Sequence, residues 1–154
     1  MNKDFVDQII VKKTHCFFVS PHLDDAIFSA GGLMGELRGK VPLTLINVFT
    51  SCGDGKSTLS AKQYLKQMGH RNPKKLYEIR IKEDLIALNK IGIKPINLGF
   101  VDALWRKKIR KIGPIAELNH VYPTYHFNIT KGKILDDDLP LIKSLSTKIK
   151  GIIG

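Results

Sequence analysis

Cysteine is scarce: Cys16 and Cys52 are the only two in 154 residues, and they form no CxxC pair. A disulfide framework or a zinc ribbon needs clustered thiols, so both are read as free. No apolar run approaches the ~20 residues needed to span a bilayer, so no membrane span is expected. Met1 to Lys13 carries Asp4, Asp7, Lys12 and Lys13 around a short apolar patch. It lacks the basic-then-apolar order of a signal peptide, and a cytoplasmic location is the expectation. No Gly-x-Gly-x-x-Gly follows the first strand, which argues against a dinucleotide-binding domain. Gly55-Lys56-Ser57 looks like the tail of a phosphate-binding loop, but the glycine that loop needs five residues before Gly55 is Thr50. A P-loop is therefore rejected.

Acidic residues are also few, with 14 Asp and Glu against 25 Lys and Arg, for a net charge of +11. The denser basic segments are Arg71 to Lys82 and Arg106 to Lys111. The lysines are otherwise spread along the chain among Ile and Asn, with no nucleic-acid fold signature beside them, so they read as solvated surface. No nucleic-acid partner is expected; an anionic substrate is a second reading of the charge. A chain of 154 residues, 43% of them hydrophobic, fits one domain with a real core.

Against these absences stands one dense stretch, His15 to Gly32. Cys16-Phe17-Phe18-Val19 is a short apolar run of the kind that forms a buried strand, and it stops at Ser20-Pro21 because proline removes a ladder donor. His22, Asp24 and Asp25 follow at once. Ala26 to Arg38 reads as a helix, with Ile27, Leu33 and Leu37 apolar and Ser29, Ala30, Gly31 and Gly32 small enough for close approach to a sheet. Val41 to Phe49 is the strongest strand signal and is expected to be the second central strand. Thr50 to Ser57 is a polar, glycine-rich loop. Ser60 to Asn89 has a helical pattern broken at Asn72-Pro73, with Leu76, Ile79, Leu85, Ile86, Leu88 and Ile91 at helical spacing and Gly92 as C-cap. Ile93 to Phe100 reads as a third short strand. The order β-α-β-α-β with long crossovers predicts an α/β fold: a right-handed, Rossmann-like parallel sheet with flanking helices.

The pattern weakens after Trp105. Pro114 to Phe127 is loop-like, and Phe127 to Lys133 is compatible with a hairpin turning at Gly132. Asp138 to Ile149 reads as a last helix with an apolar face of Leu139, Leu141, Ile142, Leu145 and Ile149 and an acidic start that suits its dipole. Gly151 to Gly154 stands where another strand is expected to begin. Asn128-Ile-Thr130 is a glycosylation sequon only in a secreted context.

An imidazole and carboxylates at the carboxyl end of a parallel strand lie where α/β sheets place their ligand sites. His22 and Asp25, three residues apart on a tight turn, suit one zinc ion, leaving Asp24 toward the substrate as a proton acceptor. Spacing alone leaves a second reading open, in which Asp24 or Asp25 merely caps the helix and His22 is a satisfied turn residue.

Ser20-Pro21-His22-Leu23-Asp24-Asp25-Ala26, between a strand and a small-residue helix, resembles the Pro-His-Pro-Asp-Asp-Glu motif of the PIG-L or LmbE-like family of zinc-dependent N-acetylglucosaminyl deacetylases. Arg80-x-x-Glu83 on a helix running to Ile91-Gly92, and a strand ending Leu98-Gly-Phe-Val-Asp102, are similar to further family segments. The resemblance covers most of residues 14 to 106. It implies His22 and Asp25 as metal ligands, Asp24 as the general base, and Arg80 and Asp102 as substrate-facing residues. The implied cofactor is Zn2+ and the implied reaction is hydrolysis of an N-acetyl or related acyl group from an amino sugar or its glycoconjugate.

Two departures qualify this. Leu23 and Ala26 replace the motif's second Pro and its Glu, as in a sub-branch that reads Pro-His-Leu-Asp-Asp. The family's third ligand is a histidine in a late His-x-Asp-His or His-x-x-His motif, and neither occurs among His15, His70, His120 and His126. His120 and His126 are read as surface or lid residues. The chain thus resembles the amino-terminal part of such an enzyme, and its sheet is expected to stop before the last strands. Weak zinc binding and little or no deacetylation are expected of it, with a non-catalytic remnant or sugar-binding module of the same fold as the alternative. An incomplete sheet leaves apolar surface that favours self-association, but no oligomeric state is assigned.

Overall fold

The computed structural model describes residues 3–55, 57–107 and 130–154. In order it forms α1 (Lys3–Val11), β1 (Cys16–Ser20), α2 (Asp25–Leu37), β2 (Leu43–Asn47), α3 (Leu59–Gln67), α4 (Pro73–Lys90), β3 (Pro95–Asn97), a 3-10 turn (Asp136–Asp138) and α5 (Leu139–Ile153). These divide into two compact units, Met1–Ser51 with Lys74–Phe100, and Cys52–Pro73 with Val101–Gly154. Among the described residues no helix is long and apolar enough to cross a membrane.

The first unit carries a three-stranded parallel sheet in the order β1-β2-β3. Cys16 stands opposite Leu43 and Ser20 opposite Asn47, while Asn47 pairs in turn with Asn97. This is the expected α/β layer, and β2 holds the expected central place, with Leu45, Ile46 and Asn47 all at 0% exposure. The expectation of a fully buried first strand is corrected: Val19 is 49% exposed, because β1 forms one edge of the described sheet.

Ala26, Met34, Leu45, Leu88 and Ile93 form one core cluster, joined by Phe18, Ile27, Ala30, Leu43 and Ile91. Val6, Leu37 and Val41 form a second, so α1, unmarked in the sequence pattern, packs beside α2. Met34 fills a core position that Gly31 and Gly32 were expected to open: a Cβ on Gly31 meets nothing beyond Ile27 of its own helix, and one on Gly32 meets nothing. The small residue that lies fully against the core is Ala26, with Ala30 partly buried beside it.

Proline breaks the long helical stretch as expected, and α4 starts at Pro73, where a missing N–H costs nothing. Its buried face is Leu76, Tyr77, Asp84 and Leu88, whereas Leu85 and Ile86, expected inside, are 38% and 51% exposed. Gly92 ends α4 in the left-handed region at φ +66, with Ile93 N–H donating to Leu88 O at 3.1 Å.

In the second unit, Thr58 caps α3: its Oγ1 accepts from Ala61 N at 3.1 Å and donates to Leu104 O at 2.8 Å. Tyr64 meets Trp105 edge-on at 5.9 Å. Arg106 pairs with Asp138 at 3.3 Å, at the start of α5. Burial pushes the Asp138 carboxyl up, against the pull of Arg106. The last helix is found, but none of its residues is buried; Leu139 and Ile142 of the expected core face are 53% and 41% exposed. Gly151 to Ile153 continue that helix and do not begin a strand. Gly132 takes its turn at φ +65. Thr130 is helical rather than extended, so the described part of the expected hairpin is not a strand; residues 127–129, Pro114 to Phe127 with His120 and His126, and most of the Arg106 to Lys111 run lie outside the described residues.

Leu45 is fully buried in the first core cluster, so Leu45→Ala is expected to cost about 2–5 kcal/mol. Urea denaturation checks this as a lowered midpoint with an unchanged slope.

Candidate active site

The β1–β2 ladder does not end with the strands. Val48 N donates to Ser20 O at 2.9 Å and Phe49 N to Pro21 O at 2.8 Å. Pro21 has no N–H to give but still accepts, so the chain leaves β1 on a fixed course. Ser20 is 1% exposed, and its hydroxyl ties the turn together. Oγ donates to His22 O at 2.7 Å and accepts from Ala26 N at 3.0 Å. The first turn of α2 thus receives its side-chain acceptor from Ser20. Asp24, at the N-cap position, makes no side-chain cap bond, and the capping reading of that residue falls.

Asp24 adopts φ 76, ψ −26, the left-handed region that costs a non-glycine residue about 1–2 kcal/mol. Its N–H donates to Asp84 Oδ1 at 3.1 Å. Its Oδ2 lies 3.8 Å from Arg80 Nη2, which also reaches Leu23 O at 3.4 Å. Asp84 is buried in α4, and its Oδ2 accepts from Asn47 Nδ2 at 2.8 Å; the same amide nitrogen donates to Asn97 Oδ1 at 3.0 Å.

On the other side of the turn, Asp25 Oδ2 accepts from His22 N at 3.1 Å and stands 3.2 Å from His22 Nδ1. The imidazole is tilted against Phe49 with ring centres 5.7 Å apart. Two donor atoms held by one tetrahedral zinc at about 2.0–2.1 Å stand about 3.3 Å from each other. The His22–Asp25 pair therefore fits two adjacent positions on such an ion. Among the described residues no group of three His, Cys, Asp or Glu side chains is gathered to complete the set. Neither remaining described histidine joins it: His15 bonds Thr44 Oγ1 and stacks on Phe17, and His70 belongs to the second unit.

Burial raises the Asp24 carboxyl above its ordinary 3.8; Arg80 opposes this, and Asp84, Glu83 and Asp25 add to it. The structure thus brings His22, Asp24, Asp25 and Arg80 together in the first unit, while Asp102 lies in the second, where its Oδ1 accepts from Leu104 N at 2.9 Å. Sequence reasoning missed Ser20, Asn47, Asp84 and Asn97. One signal was present for Asp84: it falls at helical spacing between Tyr77 and Leu88, so a carboxylate interrupts the inward face of α4.

The structure thus defines an α/β protein with a histidine-and-carboxylate turn at the carboxyl ends of its parallel sheet. The chain belongs to the PIG-L (GlcNAc-PI de-N-acetylase) family, whose model matches residues 17–143. Its fold is similar to a deacetylase of teicoplanin biosynthesis solved with teicoplanin, at 21% identity and TM-score 0.70, over 91% of this chain and 53% of that one. The zinc-inhibited form of teicoplanin deacetylase matches at 21% identity and TM-score 0.56, over 77% and 48% of the two chains. An antimicrobial-pseudoaglycone deacetylase matches at 28% identity and TM-score 0.51, over 58% and 38%. The chain spans about half the length of the first of these structures. No curated protein sequence matches it.

In metal-free protein, a carbon-detected NMR titration is expected to place the Asp24 midpoint above 3.8, and Arg80→Gln to move it further up by removing the opposing charge. A raised carboxyl holds its proton more tightly folded than unfolded. Its contribution to stability is therefore full below the unfolded value and is lost as pH rises from there through the folded value.

Proposed function

We propose that the protein is a zinc-dependent hydrolase of the deacetylase type, removing an N-acetyl or related acyl group from an amino sugar or its conjugate. The observation that carries this is the His22–Asp25 donor pair at 3.2 Å, with Asp24, the residue before Asp25, held in the left-handed conformation. Family membership and the deacetylase neighbours, one of them 28% identical, support it. In this reading His22 and Asp25 hold the metal. When bound, zinc supplies Lewis acidity toward an amide carbonyl and lowers the pKa of water.

Asp24 in its base form accepts the proton of the attacking water and returns it to the departing amine, so that amide plus water gives carboxylate and amino sugar. A carboxyl already raised by burial is the better matched to this task near neutral pH. Arg80 sits beside Asp24 and orients substrate there. Asp102 is assigned a substrate-facing role by its place in the family motif. With the two side-chain donors gathered among the described residues, zinc is held weakly. A non-catalytic, sugar-binding protein of the same fold is the second reading, favoured by the lack of a three-donor group among the described residues.

Paired substitutions test the roles. Asp24→Asn is expected to cut acyl release from an N-acetylglucosamine conjugate about 100-fold or more while leaving zinc affinity intact, and Asp25→Ala to abolish zinc uptake. Loss of zinc from Asp24→Asn reverses the assignment of the two acids. Elemental analysis finding one tightly held zinc per chain overturns the two-donor site, and metal-loaded protein without turnover favours the sugar-binding reading.

A further inference from the structure

Asp84 is 2% exposed, yet the groups that reach its carboxylate are neutral: Asp24 N–H at 3.1 Å and Asn47 Nδ2 at 2.8 Å. Among the described residues no Lys, Arg or His pairs with it; Arg80, one turn earlier on α4, turns its guanidinium to Asp24 and Leu23 instead. A carboxylate buried without a cation is a poor device for stability, since leucine, with the same heavy-atom branching, carries no desolvation cost. What leucine lacks is an acceptor for Asp24 N–H.

That acceptor acts on a strained residue. A non-glycine residue in the left-handed region persists only where its surroundings over-determine it. Ser20 ties His22 O to Ala26 N on either side and Phe28 N donates to Asp24 O at 3.1 Å, but the acceptor of the Asp24 N–H is Asp84. Asp84 is in turn referenced to the sheet. Asn47, 0% exposed at the carboxyl end of β2, gives its Nδ2 to Asp84 and to Asn97 of β3, and leaves its own Oδ1 buried without a partner. The amide accepts that loss because two acceptors face it.

We propose that Asp84 is the positioning residue of this site: through the Asp24 N–H it holds the left-handed turn that carries Asp24 next to the His22–Asp25 pair in the chain. What the turn is used for rests on the deacetylase reading above; that Asp84 holds it does not. The inference predicts that removing the acceptor loosens the turn selectively, without loosening the sheet.

Amide hydrogen exchange on 15N-labelled protein and zinc affinity by competition with a chromophoric chelator test this together. In Asp84→Leu, Asp24 N–H exchange is expected to accelerate about tenfold or more while Leu45 and Ile46 amides keep their protection, and zinc affinity to fall several-fold. Asp84→Asn, which keeps an oxygen for Asp24 N–H, is expected to recover most of both. Equal acceleration at Asp24, Leu45 and Ile46 overturns the proposal, as does an Asp24 amide indifferent to the leucine. Should the leucine variant not fold, Asp84→Asn decides alone: the Asp24 amide proton moves upfield as its acceptor loses charge, and an unmoved resonance overturns the proposal. Wild-type protein that takes up no zinc sinks the deacetylase reading, while the Asp24 amide still decides the role of Asp84.

Discussion

The backbone bonds that carry the β1–β2 ladder past the last strand residue hold the functional end of this molecule. Ser20 O and Pro21 O accept from Val48 and Phe49. A proline that cannot donate stops the strand from gaining another neighbour on that side, yet its carbonyl keeps the chain in line. The acidic turn is thereby delivered at the carboxyl edge of the sheet in one orientation. Every later feature of the site, from the Ser20 hydroxyl to the left-handed Asp24, presupposes that exit direction.

Charge is arranged against the molecule's overall sign. The chain carries +11, but around Asp24 the nearby carboxylates are Asp25, Glu83 and Asp84, and a single guanidinium, Arg80, opposes them. Burial first, and then these neighbouring carboxylates, push Asp24 toward its protonated form. His22 and Asp25 remain half-exposed, at 42% and 49% for their side chains, so both are reached from solvent without opening the core.

Membership of the PIG-L family and the likeness to deacetylase structures fit this layer closely where it is described, although the chain spans about half of the first matching structure. The first unit contains the sheet, the turn and the α4 face behind it. The second is built on different contacts: a capped α3, the Tyr64–Trp105 edge contact, and an Arg106–Asp138 pair at the start of an α5 that buries none of its residues.

Features governed by near neighbours in the chain were legible in the sequence. The stop at Ser20-Pro21, the start of α2 within one residue of the expected Ala26, the break at Pro73 and the left-handed cap at Gly92 each follow from what one or two residues permit the backbone to do. His22, Asp24 and Asp25 were legible for the same reason, being three residues of one turn. Burial was not, because it depends on which surfaces meet. Val19 is exposed since β1 forms an edge, Leu85 and Ile86 face outward since Tyr77, Asp84 and Leu88 take the inward face of α4, and the apolar face of α5 is only partly covered, at Leu141, Leu145 and Ile149. Asp84 is the clearest case. Its residue type alone reads as helix surface, and only the fold, by placing α4 60 residues along the chain against the turn after β1, converts it into a buried acceptor for Asp24.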